Sequence, residues 1–189
     1  MGSVRAFPAE KLVVGVLLSL PELKTALLQR LQQTFGPRDW VSPELPFAYT
    51  HYYDAEMGAP IVRFFISCRD LVDPARLAAA KLATNALEEE FRRPGLRAGI
   101  PPASLPGFAA GLRPVNLDPG LLSLARFVLA STKPSAHRLP LASGIYAEIE
   151  LLYEHGRFRP VEWTYPDYRS EEYRGILEHI RGLFKAQKR

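Results

Sequence analysis

The chain has 189 residues but one cysteine, two methionines and two tryptophans. A lone Cys68 forms no internal disulfide, so a reducing cytoplasm is the expected compartment. A long apolar run is also missing. Leu12–Leu20 falls short of the ~20 apolar residues that cross a bilayer. It follows Lys11, lacks a small-x-small cleavage site and runs directly into Pro21 and Glu22, so it reads as a buried strand and not as a signal peptide. Ala6 stands where a myristoylation signal needs Ser or Thr.

The strong catalytic and phosphate-binding motifs are absent too. The sequence has no G-x-x-x-x-G-K-[ST], G-x-G-x-x-G, H-E-x-x-H, C-x-x-C or G-x-S-x-G. His51, Asp54, Glu56, Asp118, His137 and Asp167 have metal-ligand chemistry, but their spacings fit no metal motif, and none is assigned. The residues name no cofactor. A cysteine nucleophile is not expected either, because Cys68 falls on the apolar face of a strand.

What is present suits one α+β domain over 1–189, with 47% hydrophobic and 23% charged residues. The net charge of +4 is uneven. Arg92–Arg138 holds seven basic residues and one acid, Asp118, a net +6, so the remainder carries −2. A local positive field favours an anionic ligand, either a phosphate compound or nucleic acid; scattered solvated arginines are the plainer alternative.

Leu12–Ser19 reads as a central strand, followed by a helix with Pro21 in its first turn, Leu23, Leu27, Leu31 and Phe35 on one face, and Gly36-Pro37 as its stop. Phe47–Tyr53 and Ile61–Arg69 read as a hairpin around Asp54–Pro60. Asp73-Pro74 opens a helix to Arg92, with Leu77, Ala80, Leu87 and Phe91 inward and Lys81, Asn85 and Glu88 along one edge. That edge is either a solvated flank or the wall of a cleft. Pro94–Gly111 has no period and reads as a loop or insertion.

Leu112–Leu117 is expected to be a strand, Asp118-Pro119-Gly120 its turn, Leu121–Leu124 a short helix and Phe127–Ser131 a strand. Ile145–Tyr153 and Phe158–Tyr165 form an expected hairpin through His155-Gly156. That register pairs Glu148 with Trp163 and Tyr146 with Tyr165, and turns Ile145, Ala147, Ile149 and Leu151 to the core. Ser170 caps a last helix. The order predicts a ferredoxin-like βαββαβ core with a mainly antiparallel sheet, extended by a C-terminal β-hairpin and helix.

The chemically richest stretch is Val128–Tyr168. Its loop brings Lys133, His137 and Arg138, which can grip a phosphate or carboxylate. Its hairpin brings Tyr146, Glu148, Trp163 and Tyr165, which either stack a planar ring or pack across strands. With Lys81, Asn85 and Asp118 these are the ten candidate ligand-binding residues.

Seven pieces of sequence carry a resemblance: His51–Gly58 (HYYDAEMG), Lys81 with Thr84-Asn85 and Leu87-Glu88, Val115–Gly120 (VNLDPG), Leu129–Lys133 (LASTK), His137-Arg138, Gly144–Glu148 (GIYAE) and Trp163–Tyr168 (WTYPDY). Together they resemble the bacterial domain of unknown function 4416 family over nearly the whole chain, departing at Pro94–Gly111. The resemblance implies a small cytoplasmic bacterial protein from an uncharacterised family, some of whose members carry an automatic GTP-binding label. It transfers no catalytic residue.

Three functions therefore stand open, in this order. The first is binding of an anionic, ring-bearing small molecule such as a nucleotide, with His137 or Glu148 as general base if chemistry follows. The second is a structural or interaction protein without a ligand. The third is a nucleic-acid module using the basic 92–138 segment.

Overall fold

The computed structural model describes residues 2–93 and 113–188. The expected loop at Pro94–Gly111 lies outside these residues.

The strand β1 (Glu10–Leu18) is the centre of the fold. Its side chains are buried on both faces, as the unbroken apolar run requires. It pairs antiparallel with β4 (Val62–Val72) on one side and with β5 (Val115–Leu122) on the other. The helix α1 (Lys24–Phe35) follows β1 and leads to β2 (Arg38–Val41), which pairs antiparallel with the far side of β4. A second long helix, α3 (Leu77–Arg92), follows β4.

Beyond β5 the sheet continues through β6 (Arg126–Ser131) and β8 (Tyr146–Glu154) to the two-residue β7 (Leu139–Pro140). A two-residue β3 (Leu45–Pro46) adds to β4, and β9 (Arg157–Pro160) adds to β8. Every pairing is antiparallel.

Helices cover both faces of this sheet. Leu23, Leu27 and Leu31 from the first helical segment and Leu87 and Phe91 from α3 pack on Val14, Val16 and Leu18. On the other face lies α4 (Glu171–Gln187), whose Tyr173, Leu177, Ile180 and Phe184 pack on Val13, Phe65 and Phe127. Burying each of these aliphatic or aromatic side chains is worth about 1.5–3 kcal/mol. Local chemistry starts and stops the helices. Asp73 accepts from the Ala75 N–H at 2.9 Å, Ser170 accepts from Tyr173 N–H at 3.2 Å, and Gly36 closes α1 at φ 83°.

Several sequence expectations are corrected. The expected hairpin arm Phe47–Tyr53 is mostly displaced: β4 pairs with Arg38–Val41 and Leu45–Pro46, the Phe47 N–H reaches Ile61 O at 3.0 Å, and the rest of the segment leads into the helical turn α2 (Asp54–Met57). Asp118-Pro119-Gly120 is no turn, because β5 runs through it to Leu122 and leaves no helix at Leu121–Leu124. Turn chemistry was overruled by two buried neighbours. Gly120 lies so close to β6 that a Cβ there would meet Val128 O at 2.6 Å and the Phe127 ring at 2.7 Å.

The C-terminal hairpin turns at His155-Gly156 as expected, but its pairing stops at Leu151–Pro160. Trp163 and Tyr165 are therefore not strand partners of Glu148 and Tyr146. A bulge explains the rest. Phe127 pairs with Leu151 and Val128 with Ile149, so Glu150 is the extra residue and the alternation slips there. Leu151 is buried, but Ile149 is exposed, and Glu148 and Glu150 turn inward.

Gly120→Ala is expected to lower stability by about 1–3 kcal/mol, because backbone at 2.6 Å cannot move aside as a side-chain tip can. The midpoint of urea unfolding measures this. An unchanged midpoint would mean that β5 and β6 approach less closely.

Candidate functional site

The pairing of β5 with β6 covers only Gly120–Leu122 against Phe127–Leu129. The next residue back along β5 is Pro119, which has no N–H to continue a ladder. From there the two strands part, with β6 following β8 and β5 staying with β1. A cavity of about 1060 Å³ opens beside the gap, walled by α3, the Phe47–Glu56 segment, β5, the end of β6, Glu148 and the Tyr165–Tyr168 segment.

The freed edge of β5 is satisfied by side chains. The Leu117 N–H donates to Glu88 Oε1 at 2.7 Å, and Lys81 Nζ donates to Leu117 O at 2.8 Å. Lys81 and Glu88 are thus buried bonding groups of α3, not a solvated flank. Arg113 holds the other Glu88 oxygen and also bonds Asn116 and Glu56. Burial pushes the Glu88 carboxyl up, and Lys81 and Arg113 pull against it without cancelling the rise.

The floor is set by Arg63, a residue of β4 that is 3% exposed. One terminal nitrogen donates to Asp118 Oδ2 and the other to Asp167 Oδ2, each at 3.0 Å. Gly15 gives it space, since a Cβ at that position would sit 2.9 Å from the guanidinium. The rings of Phe47, Phe65, Tyr168 and Tyr173 lie within 6 Å of it, a cation–π surrounding. Burial raises the Asp118 carboxyl, but Arg63 and Lys81, with hydrogen bonds from Arg63 and Asn116, bring it below the usual range. It is therefore ionised at neutral pH.

On the far wall Glu148 is almost wholly buried. Its Oε2 faces His137 Nε2 at 2.9 Å and its Oε1 faces Arg138 at 3.0 Å. The His137 ring also meets Ser135 Oγ at 3.0 Å and stacks on Trp163 at 5.1 Å between centroids. Arg138 further donates to Tyr165 OH at 2.6 Å. Arg138 is thus already paired with a carboxylate of the protein itself.

Of the ten candidates, Lys81, Asn85, Asp118, Lys133, Glu148 and Tyr165 line the one cavity. His137 and Arg138 stand behind Glu148 and hold it. Trp163 lies outside, stacked on His137, with its indole N–H on Ile149 O. Tyr146 is half-buried at the start of β8, opposite Ser131 and Pro140, and is not part of the lining. A common aromatic face of Tyr146, Trp163 and Tyr165 does not form, because the strand pairing that would align them is absent.

Arg63, Asn116 and Glu150 were missed, and Asp167 was named only for its metal-ligand chemistry. Arg63 did leave a trace: a lone cation in the apolar run Val62–Cys68 of β4, beside the buried strand β1. Glu150 left none, since its position depends on the bulge. Its Oε1 accepts from Tyr165 N–H at 2.6 Å, and its Oε2 has no hydrogen-bond partner among the described residues. The basic 92–138 segment is less free than its charge implies. Arg126 bonds Glu10 at 2.8 Å, and Arg92 faces Glu89 at 3.6 Å.

The family model described as Domain of unknown function (DUF4416) matches residues 8–184. The chain belongs to this family. No curated protein and no solved structure matches it. In this DUF4416 chain HYYDAEMG forms the flap over the cavity, VNLDPG the parted strand and LASTK the opposite lip. WTYPDY supplies Tyr165, Asp167 and Tyr168. Among the described residues no group of three or more His, Cys, Asp or Glu is placed to hold a metal ion, and no helix is long and apolar enough to cross a membrane.

Burial pushes the Glu150 carboxyl up to about 8 from its ordinary 4.5, with repulsion from Glu148 and Asp167 adding to it and the Tyr165 hydrogen bond opposing it. A raised folded pKa means that the folded state binds the proton more tightly. Its stabilising effect is complete below pH 4.5 and is lost as the pH rises through about 8. Glu150→Gln keeps the acceptor for Tyr165 but not the charge. The gap in stability between variant and wild type is expected to grow in the variant's favour by a few kcal/mol, order of magnitude, from pH 5 to pH 8.5. Parallel urea curves at the two pH values would show it, and a constant gap would contradict it.

Proposed function

We propose that the cavity binds an anionic, ring-bearing small molecule of about nucleotide size. The convergence of Lys81, Asn85, Asp118, Lys133, Glu148 and Tyr165 on one hollow carries this reading. Its volume stands just above the usual range for small-molecule sites, about 300–1,000 Å³. Tyr49, Tyr52, Tyr53 and Tyr165 offer ring faces along its wall.

The charges narrow the ligand further. Glu88, Asp118, Glu148 and Asp167 each already face a cation of the protein. Among the described residues Lys133 is the lining cation that pairs with no acid. Its ammonium lies over the Tyr52 ring at 4.9 Å and 3.5 Å from the Tyr52 hydroxyl. One such cation suits a single phosphate or carboxylate, and suits a polyanion poorly. Because Arg113, Arg126 and Arg138 are bound to acids, nucleic-acid binding has less support.

We also infer a ferredoxin-like core. The order β2-β4-β1-β5, with α1 after β1 and α3 after β4, supports it. On this reading the site lies where the added strands β6 and β8 leave that core.

A thermal-shift series with nucleoside monophosphates and aryl phosphates tests the function. Millimolar ligand is expected to stabilise the wild type, and Lys133→Ala to weaken affinity about 10- to 100-fold, as for one charge-assisted hydrogen bond. No stabilisation by any of these compounds would remove the proposal.

A further inference from the structure

The polar groups on the α3 side of the cavity are not equally occupied. Among the lining acids that face a buried cation or backbone group, Glu88 uses both oxygens, on Leu117 N–H and on Arg113. Glu148 uses both, on Arg138 and His137. Asp167 uses both, on Tyr168 N–H and Arg63. Asp118 does not. Its Oδ2 accepts from Arg63 at 3.0 Å and from Asn116 at 2.9 Å, but its Oδ1 accepts no hydrogen bond from the described residues.

Lys81 Nζ lies 3.9 Å from Oδ1, beyond hydrogen-bond reach. That ammonium has three N–H groups and places one on Leu117 O. One turn further along α3, at i+4, Asn85 lines the same cavity, and its amide makes no hydrogen bond to the described residues. An ionised acceptor, an ammonium donor and an amide with both functions thus stand together at one end of the hollow. Lys133, the cation without an acid, stands at the lip formed by the end of β6.

A planar ring with a donor and an acceptor on adjacent atoms fits the gap between Oδ1 and Nζ. Its N–H gives to the carboxylate while its neighbouring oxygen or nitrogen accepts from the ammonium. A plain phenyl ring leaves Asp118 Oδ1 and the remaining N–H groups of Lys81 unanswered while shutting out water, a cost that a ring with matching polar atoms avoids. We propose that Asp118 Oδ1 and Lys81 Nζ, assisted by Asn85, read the donor–acceptor edge of a nucleobase-like heterocycle, with the ligand's anion turned outward to Lys133. This rests on the small-molecule reading above and fixes both the chemical class of the ring and the direction in which the ligand lies.

The test compares ligands that differ only at that edge. Calorimetric titrations of the wild-type protein would use uridine and N3-methyluridine 5′-monophosphates, adenosine and N6,N6-dimethyladenosine 5′-monophosphates, and phenyl phosphate. At least one unmodified nucleotide is expected to bind at least about tenfold more tightly than its methylated partner and than phenyl phosphate. Asn85→Ala, which breaks no hydrogen bond among the described residues, is expected to keep the fold and to shrink that preference. Equal binding of methylated and unmodified pairs, or of phenyl phosphate, overturns the edge readout while the small-molecule reading stands. Failure of every compound to bind overturns both.

Discussion

A buried arginine holding two carboxylates from different parts of the chain is the interaction on which this molecule's working end depends. Arg63 lies on β4, Asp118 on β5 and Asp167 in the segment before α4. A guanidinium in such a place is stabilised only while both partners remain. Removing one partner of a buried pair typically costs about 3–5 kcal/mol, because a charge is left without an answer. The clamp therefore fixes the segment that leads into α4 against the central strands. It also decides which oxygen of Asp118 is occupied and which is left open to the cavity.

The second constraint is geometric. Strands in a sheet leave no hollow between them unless their ladder stops. Here Pro119 ends the β5–β6 ladder, and the backbone of Leu117 would be left with an unpaired donor and acceptor, a costly state when buried. Helix α3 supplies what the missing strand would have given, one carboxylate for the N–H and one ammonium for the C=O. A cleft in the sheet and a polar stripe on a helix are thus one device. The same ammonium that completes the strand stands beside the open oxygen of Asp118.

Much of this was legible in the residues, and the failures have physical causes. Strands β1, β4 and β6 and helices α1, α3 and α4 follow from apolar periodicity, Pro and Gly punctuation and caps at Asp73 and Ser170. Lys81, Asn85, Asp118, Lys133 and Glu148 were candidates by residue type and by the family resemblance, and one cavity is lined by all five. What failed were places where tertiary contact overrides a local signal. Asp118-Pro119-Gly120 has turn composition but lies between β1 and β6, and Gly120 is needed there for close approach. Arg38–Val41 is too short and polar to read as a strand without β4 beside it. The alternation along β8 broke at Glu150, and one extra residue there moved every later side chain to the other face. His137 and Arg138 carry ligand-binding chemistry in sequence, but Glu148 had already engaged both.

Taken together, the parted strands, the Arg63 clamp and the unequal use of the carboxylates support the proposal that the hollow takes one compact, ring-bearing anion. Nuclear magnetic resonance of the isotopically labelled protein during titration with a nucleoside monophosphate examines this directly. The side-chain amide of Asn85 and the backbone amides of Leu117, Asp118 and Lys133 are expected to move together and saturate at one concentration, while α4 stays still. Shifts centred on α4 or on the outer face of α1, with Asn85 and Asp118 unmoved, would contradict the account.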